Sequence, residues 1–364
     1  MPTPTQDSVL AALATVIDPE IRRPITELDM VESVELGPAG AVTVSILLTV
    51  PGCPLKDSLE RDVKVALASL EGVGLVTVKM GTMDDQQRRA LQAKLRGGPE
   101  VSIPFNEPWC QTRVIAIGSG KGGVGKSTVT ANLAVALAAK GLEVGVLDAD
   151  IYGFSMPRML GVADEPTQME DMILPPVAQG VKVFSIGMLV PPGQPVVWRG
   201  PVLHRALQQF LTDVYWGDLD VLLVDLPPGT GDVALSIAQL VPGSELIIVT
   251  TPQPAAAEVA QRAGALALQT KQPIVGVVEN MNGLVQPDGS VLHIFGEGGG
   301  RQVADNLAGA TGGPVPILGH VPLDVTLREG GDQGHPVVLA APDSPAAQAF
   351  ESIAALVAAR LAGE

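Results

Sequence analysis

The pattern of hydrophobic and polar positions changes character near residue 96 of the chain. Before it, amphipathic stretches of helical period mix with β-branched runs, which predicts a small α+β domain over residues 1–95. Residues 96–112 contain Gly and Pro without either period and are predicted to form a linker. From residue 113 to residue 364, short apolar runs alternate with helical stretches. This alternation predicts an α/β domain whose mostly parallel sheet is covered by helices on both faces.

The predicted elements follow from these two periods. In the small domain, helices are predicted at residues 8–16, 55–70 and 82–95, and strands at residues 41–50 and 74–80. In the larger domain, strands are predicted at residues 114–117, 144–147, 181–186, 221–225, 246–250, 274–279 and 315–319. The helices between and after them are predicted at residues 126–140, 203–214, 233–240, 254–269, 298–308 and 344–362.

Composition narrows the classes of function. The 364 residues include 23 Lys and Arg against 39 Asp and Glu, which leaves a net charge of −16. This acidity disfavours nonspecific binding to nucleic acid or to an anionic membrane. The apolar runs are far shorter than the ~20 residues of a membrane-spanning helix, so we expect a cytoplasmic protein. Two cysteines are too few for a disulfide framework or for a four-cysteine metal site within one chain.

A glycine-rich loop follows the first predicted strand of the larger domain and opens its first predicted helix. Its sequence fits the pattern G-x-x-x-x-G-K-[ST], in which backbone N–H groups converge on phosphate oxygens. The lysine of the pattern neutralises the phosphates, and the hydroxyl that follows it binds Mg²⁺. The predicted nucleotide-binding residues of the loop are Gly120, Lys121, Gly122, Gly123, Val124, Gly125, Lys126, Ser127 and Thr128.

Two aspartates stand at the ends of neighbouring apolar strands. Asp150 belongs to the run Asp-Ala-Asp that follows the predicted strand 144–147, and Asp225 ends the predicted strand 221–225. Ligands of open α/β sheets collect at the carboxyl ends of the strands, so both side chains are well placed to face the phosphates. An acid in such a position can also be a helix cap, and the phosphate-binding loop upstream favours the functional interpretation.

The loop resembles the deviant Walker A motif of the SIMIBI ATPases, because Lys121 stands five positions ahead of Lys126. The resemblance implies that Lys121 reaches across a dimer interface to the nucleotide of the partner, with ATP held between two subunits. The alternative is a solvated lysine on a loop. By the same resemblance, Asp150 orients the attacking water, Asp225 holds Mg²⁺ through water, and Gly229 lies near the γ-phosphate.

Further motifs resemble the Mrp/ApbC family of iron–sulfur cluster carrier ATPases. They are the segments 197–201 (VWRGP), 225–232 (DLPPGTGD), 279–281 (ENM) and 293–299 (HIFGEGG). The resemblance implies a P-loop NTPase fold, Mg²⁺-dependent hydrolysis of ATP, a homodimer and a [4Fe–4S] cluster, with Asn280 reading the adenine edge. Residues 1–95 resemble a SufT/PaaD-type assembly domain through the segments 18–20 (DPE) and 49–54 (TVPGCP).

The chain departs from that family where the cluster is usually held. Members place Cys-x-x-Cys before the His-Ile-Phe-Gly-Glu segment, and here Gln286 and Gly289 stand in those positions. Neither side chain supplies the thiolate that iron in a cluster requires. Cys53 is a candidate cluster ligand in the small domain, its alternative being a small buried apolar residue. Cys110 is interpreted as incidental, and His293 as a residue that packs or hydrogen-bonds locally.

Two functions are therefore open. In the first, a nucleotide-sandwich homodimer hydrolyses ATP slowly and carries or assembles iron–sulfur clusters for apoprotein partners. In the second, the same ATPase binds and releases client proteins without carrying a cluster itself. A partition-type or membrane-cycling ATPase is disfavoured because the segment 344–364 contains Arg360 as its only base. We expect no nucleic acid and no membrane among the partners.

Overall fold

The computed structural model describes residues 4–49, 56–96, 102–190, 201–286 and 288–363, and the chain divides into two compact units. The first unit comprises Met1–Val101 together with two later segments, Asp164–Pro175 and Asp213–Gly217. The second unit comprises Ser102–Ala163, Pro176–Thr212 and Asp218–Glu364. The two later segments of the first unit thus come from a part of the chain that the sequence pattern assigns to the larger domain.

Helices and strands follow one another along the whole chain. Up to residue 185 they are α1 (Gln6–Leu13), β1 (Val31–Leu36), β2 (Val42–Leu48), α2 (Lys56–Ala68), β3 (Val76–Thr82), α3 (Asp85–Arg96), β4 (Arg113–Ser119), α4 (Lys126–Ala139), β5 (Val144–Asp148), α5 (Met156–Met159), β6 (Thr167–Met169), β7 (Met172–Leu174), β8 (Val177–Ala178) and β9 (Val181–Ser185). In the rest of the chain they are α6 (Pro201–Thr212), β10 (Val221–Asp225), α7 (Asp232–Leu240), β11 (Glu245–Thr250), α8 (Pro254–Gln269), β12 (Ile274–Val285), β13 (Val291–Leu292), α9 (Gly299–Thr311), β14 (Ile317–Leu323), α10 (Val325–Gln333), α11 (Val337–Ala340) and α12 (Pro345–Ala362).

The first unit is an α+β structure. Its described strands form a sheet in the order β1-β2-β3, in which β1 runs antiparallel and β3 parallel to β2. On β2, alternate side chains are fully buried, and on α2 the buried side chains recur at every fourth position. These two periods place one face of the strand and one stripe of the helix in the same core.

A hairpin from later in the chain completes that core. Strands β6 and β7 pair antiparallel, and Met169, Met172 and Leu174 are buried among the apolar side chains of the first unit. The segment after α6 adds Tyr215, whose N–H donates to the carbonyl of Ile173. Burying a Met or Leu side chain contributes about 1.5–3 kcal/mol, so these residues are a substantial part of the stability of a small core.

The second unit contains the mostly parallel sheet. Its described strands run in the order β13-β12-β11-β4-β10-β5-β9-β8, and β14 pairs with β12. Strands β8 and β13 are antiparallel to their neighbours, and the other pairings are parallel. Every residue of β5, β9, β10 and β11 is buried, as expected for strands with helices packed on both faces. The predicted fold class is confirmed.

Several element bounds differ from the sequence-based predictions. The strand predicted at residues 274–279 continues to Val285 as β12, and the strand predicted at 315–319 lies at Ile317–Leu323 as β14. Helix α1 begins at Gln6 because Thr5 and Ser8 form a reciprocal capping box. The sequence pattern missed β1, the hairpin β6–β7 and α10. Within the described residues, no helix is both long and apolar enough to span a bilayer.

Glu20 is a buried acid of the first unit. Its Oε1 accepts a 2.9 Å hydrogen bond from the Thr167 hydroxyl, and the residue is only 7% exposed. Burial, reinforced by the negative charges of Asp18 and Asp164, raises the pKa of Glu20 to about 7. Glu20 is therefore largely uncharged in the folded protein over a range of pH where an unfolded chain would ionise it.

We expect Glu20→Gln to stabilise the first unit increasingly as the pH rises. The raised pKa means that the folded chain holds a proton which the unfolded chain releases, so the stability of the wild type falls between about pH 4.5 and pH 7. A glutamine stays neutral and keeps the acceptor for Thr167. Native-state hydrogen exchange of the β2 amides measures the free energy of unfolding of this unit. The variant should exceed the wild type in this free energy by a margin that grows by about 2 kcal/mol from pH 5 to pH 8. The exposed Glu27→Gln serves as control, and a gain independent of pH would contradict the account.

Candidate functional site

The glycine-rich loop joins the carboxyl end of β4 to the first turn of α4. Gly125 caps α4 with a φ of +78°, a left-handed conformation that glycine adopts without strain. At Gly120 a Cβ would collide with the backbone of Val259 and Ala260 on α8. The loop can therefore approach α8 only with glycine at this position. The first N–H groups of a helix lack intrahelical partners and attract anions, so the loop and the start of α4 are suited to cradle a phosphate.

The carboxylate of Asp225 accepts hydrogen bonds from three polar side chains of α4. Its Oδ2 accepts hydrogen bonds from Lys126 Nζ at 2.6 Å and from Ser127 Oγ at 2.7 Å. Its Oδ1 accepts one from Thr130 Oγ1 at 2.6 Å. Asp225 is fully buried and the Lys126 side chain is 6% exposed, so each charge depends on the other for its stability. The structure thus brings together the loop lysine, the hydroxyl and the strand-end carboxylate that the sequence predicts.

Two further aspartates lie beside this cluster. The pairing of β10 with β5 sets Asp225 opposite Asp148, and Asp150 follows two residues later. Burial, followed by the negative charge of Asp225, raises the pKa of Asp148 to about 7. Burial also raises the pKa of the half-buried Asp150, while the positive charge of Lys126 opposes that shift. Sequence reasoning singled out Asp150 and missed Asp148, although both belong to the Asp-Ala-Asp run.

Lys121 contacts its own chain at the start of α8. Its ammonium donates a 3.1 Å hydrogen bond to the side-chain carbonyl of Gln253, the residue that caps α8. Among the other predicted loop residues, Val124 is buried, Gly122 and Gly123 are exposed, and Thr128 lies in the first turn of α4. The N–H of Gly229 donates to the carbonyl of Ser119, which ties the segment after β10 to the end of β4.

Asn280 braces the glycine-rich loop. Its side-chain N–H donates a 2.9 Å hydrogen bond to the carbonyl of Val124, and the same amide lies directly against Gly125. The preceding Glu279 is buried and accepts hydrogen bonds from the Asn282 side chain and from the backbone N–H of Gly300 at the start of α9. Sequence reasoning did not single out this supporting carboxylate.

The hairpin that links β12 to β13 holds Gln286 and Gly289, the two positions where the family resemblance predicts cysteines. Its turn is closed by a hydrogen bond from the Gly289 N–H to the Gln286 carbonyl. His293, next to β13, contacts Glu297 through its Nε2 at 2.8 Å, a local interaction of the kind that the sequence predicts. Cys53 lies outside the described residues, and Cys110 is a partly exposed free thiol. Within the described part of the chain, His, Cys, Asp and Glu do not group in threes that could hold a metal ion.

The donor set at the loop fits a magnesium nucleotide. Oxygen ligands such as the Ser127 hydroxyl and the Asp225 carboxylate are those that Mg²⁺ prefers. A triphosphate needs hydrogen-bond donors and positive charge around it. The glycine-rich loop offers the donors as backbone N–H groups, and Lys126 offers the positive charge.

Comparisons with known proteins agree with this geometry. The family described as NUBPL iron-transfer P-loop NTPase matches residues 111–358, and the family described as iron–sulfur cluster assembly protein matches residues 6–80. An ADP complex of a nucleotide-binding protein from Archaeoglobus fulgidus gives a TM-score of 0.55 at 37% identity, covering 65% of this chain and 92% of that one.

Two relatives extend the similarity to nearly the whole chain. The iron–sulfur cluster carrier protein of Mycobacterium tuberculosis is 60% identical over 348 residues, which is 95% of this chain and 91% of the relative. The protein of the same name from Deinococcus radiodurans is 45% identical over 358 residues, which is 98% of this chain and 95% of the relative. The chain therefore belongs to the iron–sulfur cluster carrier family of NUBPL-type P-loop NTPases.

Proposed function

We propose that this protein hydrolyses ATP as a nucleotide-sandwich homodimer and thereby carries or assembles iron–sulfur clusters for apoprotein partners. The observation that carries the proposal is the buried contact of Lys126 and Ser127 with Asp225 beneath a glycine cradle. This arrangement supplies the charge and the oxygen ligands that phosphoryl transfer from a magnesium nucleotide requires. The relatives named iron–sulfur cluster carrier proteins support the proposal that the cargo is an iron–sulfur cluster.

Each residue of the site has a proposed task. The loop N–H groups and Lys126 bind the phosphates, Ser127 binds Mg²⁺, and Asp225 holds the ion through water. A Mg²⁺ ion held there would neutralise the charge that develops on the phosphate oxygens during transfer. Asp150 accepts a hydrogen bond from the attacking water and orients it toward the γ-phosphate. Asn280 faces the adenine while it keeps its contact with the loop.

Nucleotide binding exchanges the partners of a buried ion pair. The Lys126 ammonium lies 2.6 Å from Asp225, and it leaves that carboxylate when it moves to the phosphates. Asp225 would then keep the hydroxyls of Ser127 and Thr130 but have no compensating positive charge, which is strongly unfavourable unless a cation replaces the lysine. A Mg²⁺ ion bound beside Asp225 would supply that cation, so we expect hydrolysis to depend on Mg²⁺.

Lys121 is proposed to complete the site of the other subunit. In its own chain the ammonium contacts Gln253, at the end of the loop that faces α8. A lysine delivered across a dimer interface would stabilise negative charge on the transferred phosphoryl group, as positively charged residues do in related phosphoryl transfers. Because this group arrives only on dimerisation, hydrolysis is expected to be slow.

The cargo must be held without the usual pair of cysteines. Gln286 and Gly289 occupy those positions, and the cysteines of the chain are Cys53 and Cys110. Two copies of Cys53 in a homodimer would supply two thiolates for a cluster, which other ligands would complete. The alternative function, a nucleotide-switched ATPase that binds clients without carrying a cluster, is favoured by the same absence of thiolates. The net charge of −16 supports protein partners over nucleic acid or membrane.

Mixing an inactive variant with an impaired one tests the nucleotide sandwich. We expect Lys126→Ala to abolish phosphate release and Lys121→Ala to reduce it, while Lys140→Ala at the end of α4 leaves it unchanged. A mixed dimer has one intact site, because the Lys126→Ala chain still donates its Lys121 to the nucleotide of the other chain. The mixture should regain about a quarter of the wild-type rate, since half the dimers are mixed and each has one working site. If the mixture stays at the average of its parents, Lys121 acts within its own chain.

Anaerobic reconstitution distinguishes the two functions. With iron and sulfide, we expect the wild type and Cys110→Ser to develop cluster absorbance and Cys53→Ser to lose it, because Cys53 is the proposed ligand. All three should hydrolyse ATP at the same rate, since neither cysteine belongs to the nucleotide site. A wild type that stays colourless under these conditions contradicts cluster binding and leaves the client-binding ATPase as the function.

A further inference from the structure

The loop that carries Asp150 closes around the carboxylate of Asp148. Asp148 Oδ2 accepts hydrogen bonds from the backbone N–H groups of Ser155 at 2.9 Å and Met156 at 3.0 Å. Its Oδ1 accepts one from the N–H of Asp150 at 3.2 Å. The two ends of the loop 149–156 are therefore fastened to the two oxygens of a single side chain.

Asp148 itself is held by the sheet. It is the last residue of β5, and strand pairing places it opposite Asp225 on β10 and Ser185 on β9. Its side chain is fully buried and accepts a further hydrogen bond from the Ser185 hydroxyl at 3.3 Å. Asp150, by contrast, is half-buried on the loop, and its Oδ1 accepts a hydrogen bond from the N–H of Gly153, another residue of that loop.

These contacts suit a carboxyl group at position 148 better than an amide. Three N–H groups and one hydroxyl donate to it, and none of its neighbours in this set needs a donor in return. A carboxylate offers two acceptor oxygens, whereas an asparagine offers one and presents an NH₂ group to the other donors. The chain retains a second buried acid beside Asp225 at an electrostatic cost, because both burial and that neighbouring charge raise the pKa of Asp148.

We propose that Asp148 is a positioning residue for ATP hydrolysis. Its hydrogen bonds hold the loop 149–156 against the sheet and thereby fix the position of Asp150. The inference rests on the proposed function of Asp150 as the group that orients water. Misplacing such a group by about 1 Å can cost on the order of 100-fold in rate, so a side chain that fixes its backbone affects the chemical step without touching the substrate.

The nearly isosteric Asp148→Asn tests the proposal in the full-length protein. We expect kcat for ATP to fall at least ~10-fold while the affinity for ADP, measured by calorimetry, changes less than about twofold. Hydrogen exchange should accelerate at the amides of Asp150, Ser155 and Met156. The matched control Asp164→Asn exchanges an exposed aspartate and should change neither rate nor exchange in this loop. If Asp148→Asn fails to fold, Asp148→Glu replaces it, because a longer side chain keeps both oxygens but displaces the loop.

A double-mutant cycle separates positioning from a general structural effect. Asp148→Asn in an Asp150→Ala background should cause no further loss of kcat, because the residue it positions is already gone. A further loss of the same size as in the wild type, or a wild-type kcat in Asp148→Asn alone, would overturn the inference. If instead Asp150→Ala alone hydrolyses ATP at the wild-type rate, the proposed role of Asp150 is wrong, which is a different failure.

Discussion

The buried pair of Lys126 and Asp225 is the interaction on which the rest of the site depends. It joins the first turn of α4 to the end of β10, and it is surrounded by the hydroxyls of Ser127 and Thr130. Removing one partner of such a pair typically costs about 3–5 kcal/mol, because the other charge is left without compensation in a medium of low dielectric. A cation beside Asp225 therefore stabilises the site strongly, and the contact with Lys126 couples the glycine-rich loop to the sheet.

The same edge of the sheet sets the positions of the remaining acids. Parallel pairing brings the ends of β5 and β10 together, so that Asp148 lies opposite Asp225 and Asp150 follows in the next loop. Burial, followed by repulsion from the neighbouring carboxylate of Asp225, raises the pKa of Asp148. The site thus combines a fixed framework at the strand ends with a loop carboxylate whose place depends on that framework.

The sequence predicted the regular and strongly patterned parts of the fold. Strand β10 and helix α8 have the predicted bounds, because each has a clear period and clear ends. The hairpin β6–β7 could not be found in this way, since its strands are three residues long and its buried side chains belong to a core formed with residues distant in sequence, such as Val9 and Val44. Likewise, the motif located the glycine-rich loop, but only the three-dimensional structure reveals the contacts of Lys121 with Gln253 and of Asn280 with Val124.

The proposed function of the site depends on the exchange of Lys126 for Mg²⁺ beside Asp225. It is tested most directly by the affinity for ATP of the wild type and of Asp225→Asn, measured by calorimetry with Mg²⁺ and with excess chelator. We expect Mg²⁺ to strengthen binding to the wild type at least ~10-fold and to have little effect on Asp225→Asn, whose neutral amide forms no ion pair with Lys126 and requires no cation. An equal effect of Mg²⁺ on both proteins would contradict it.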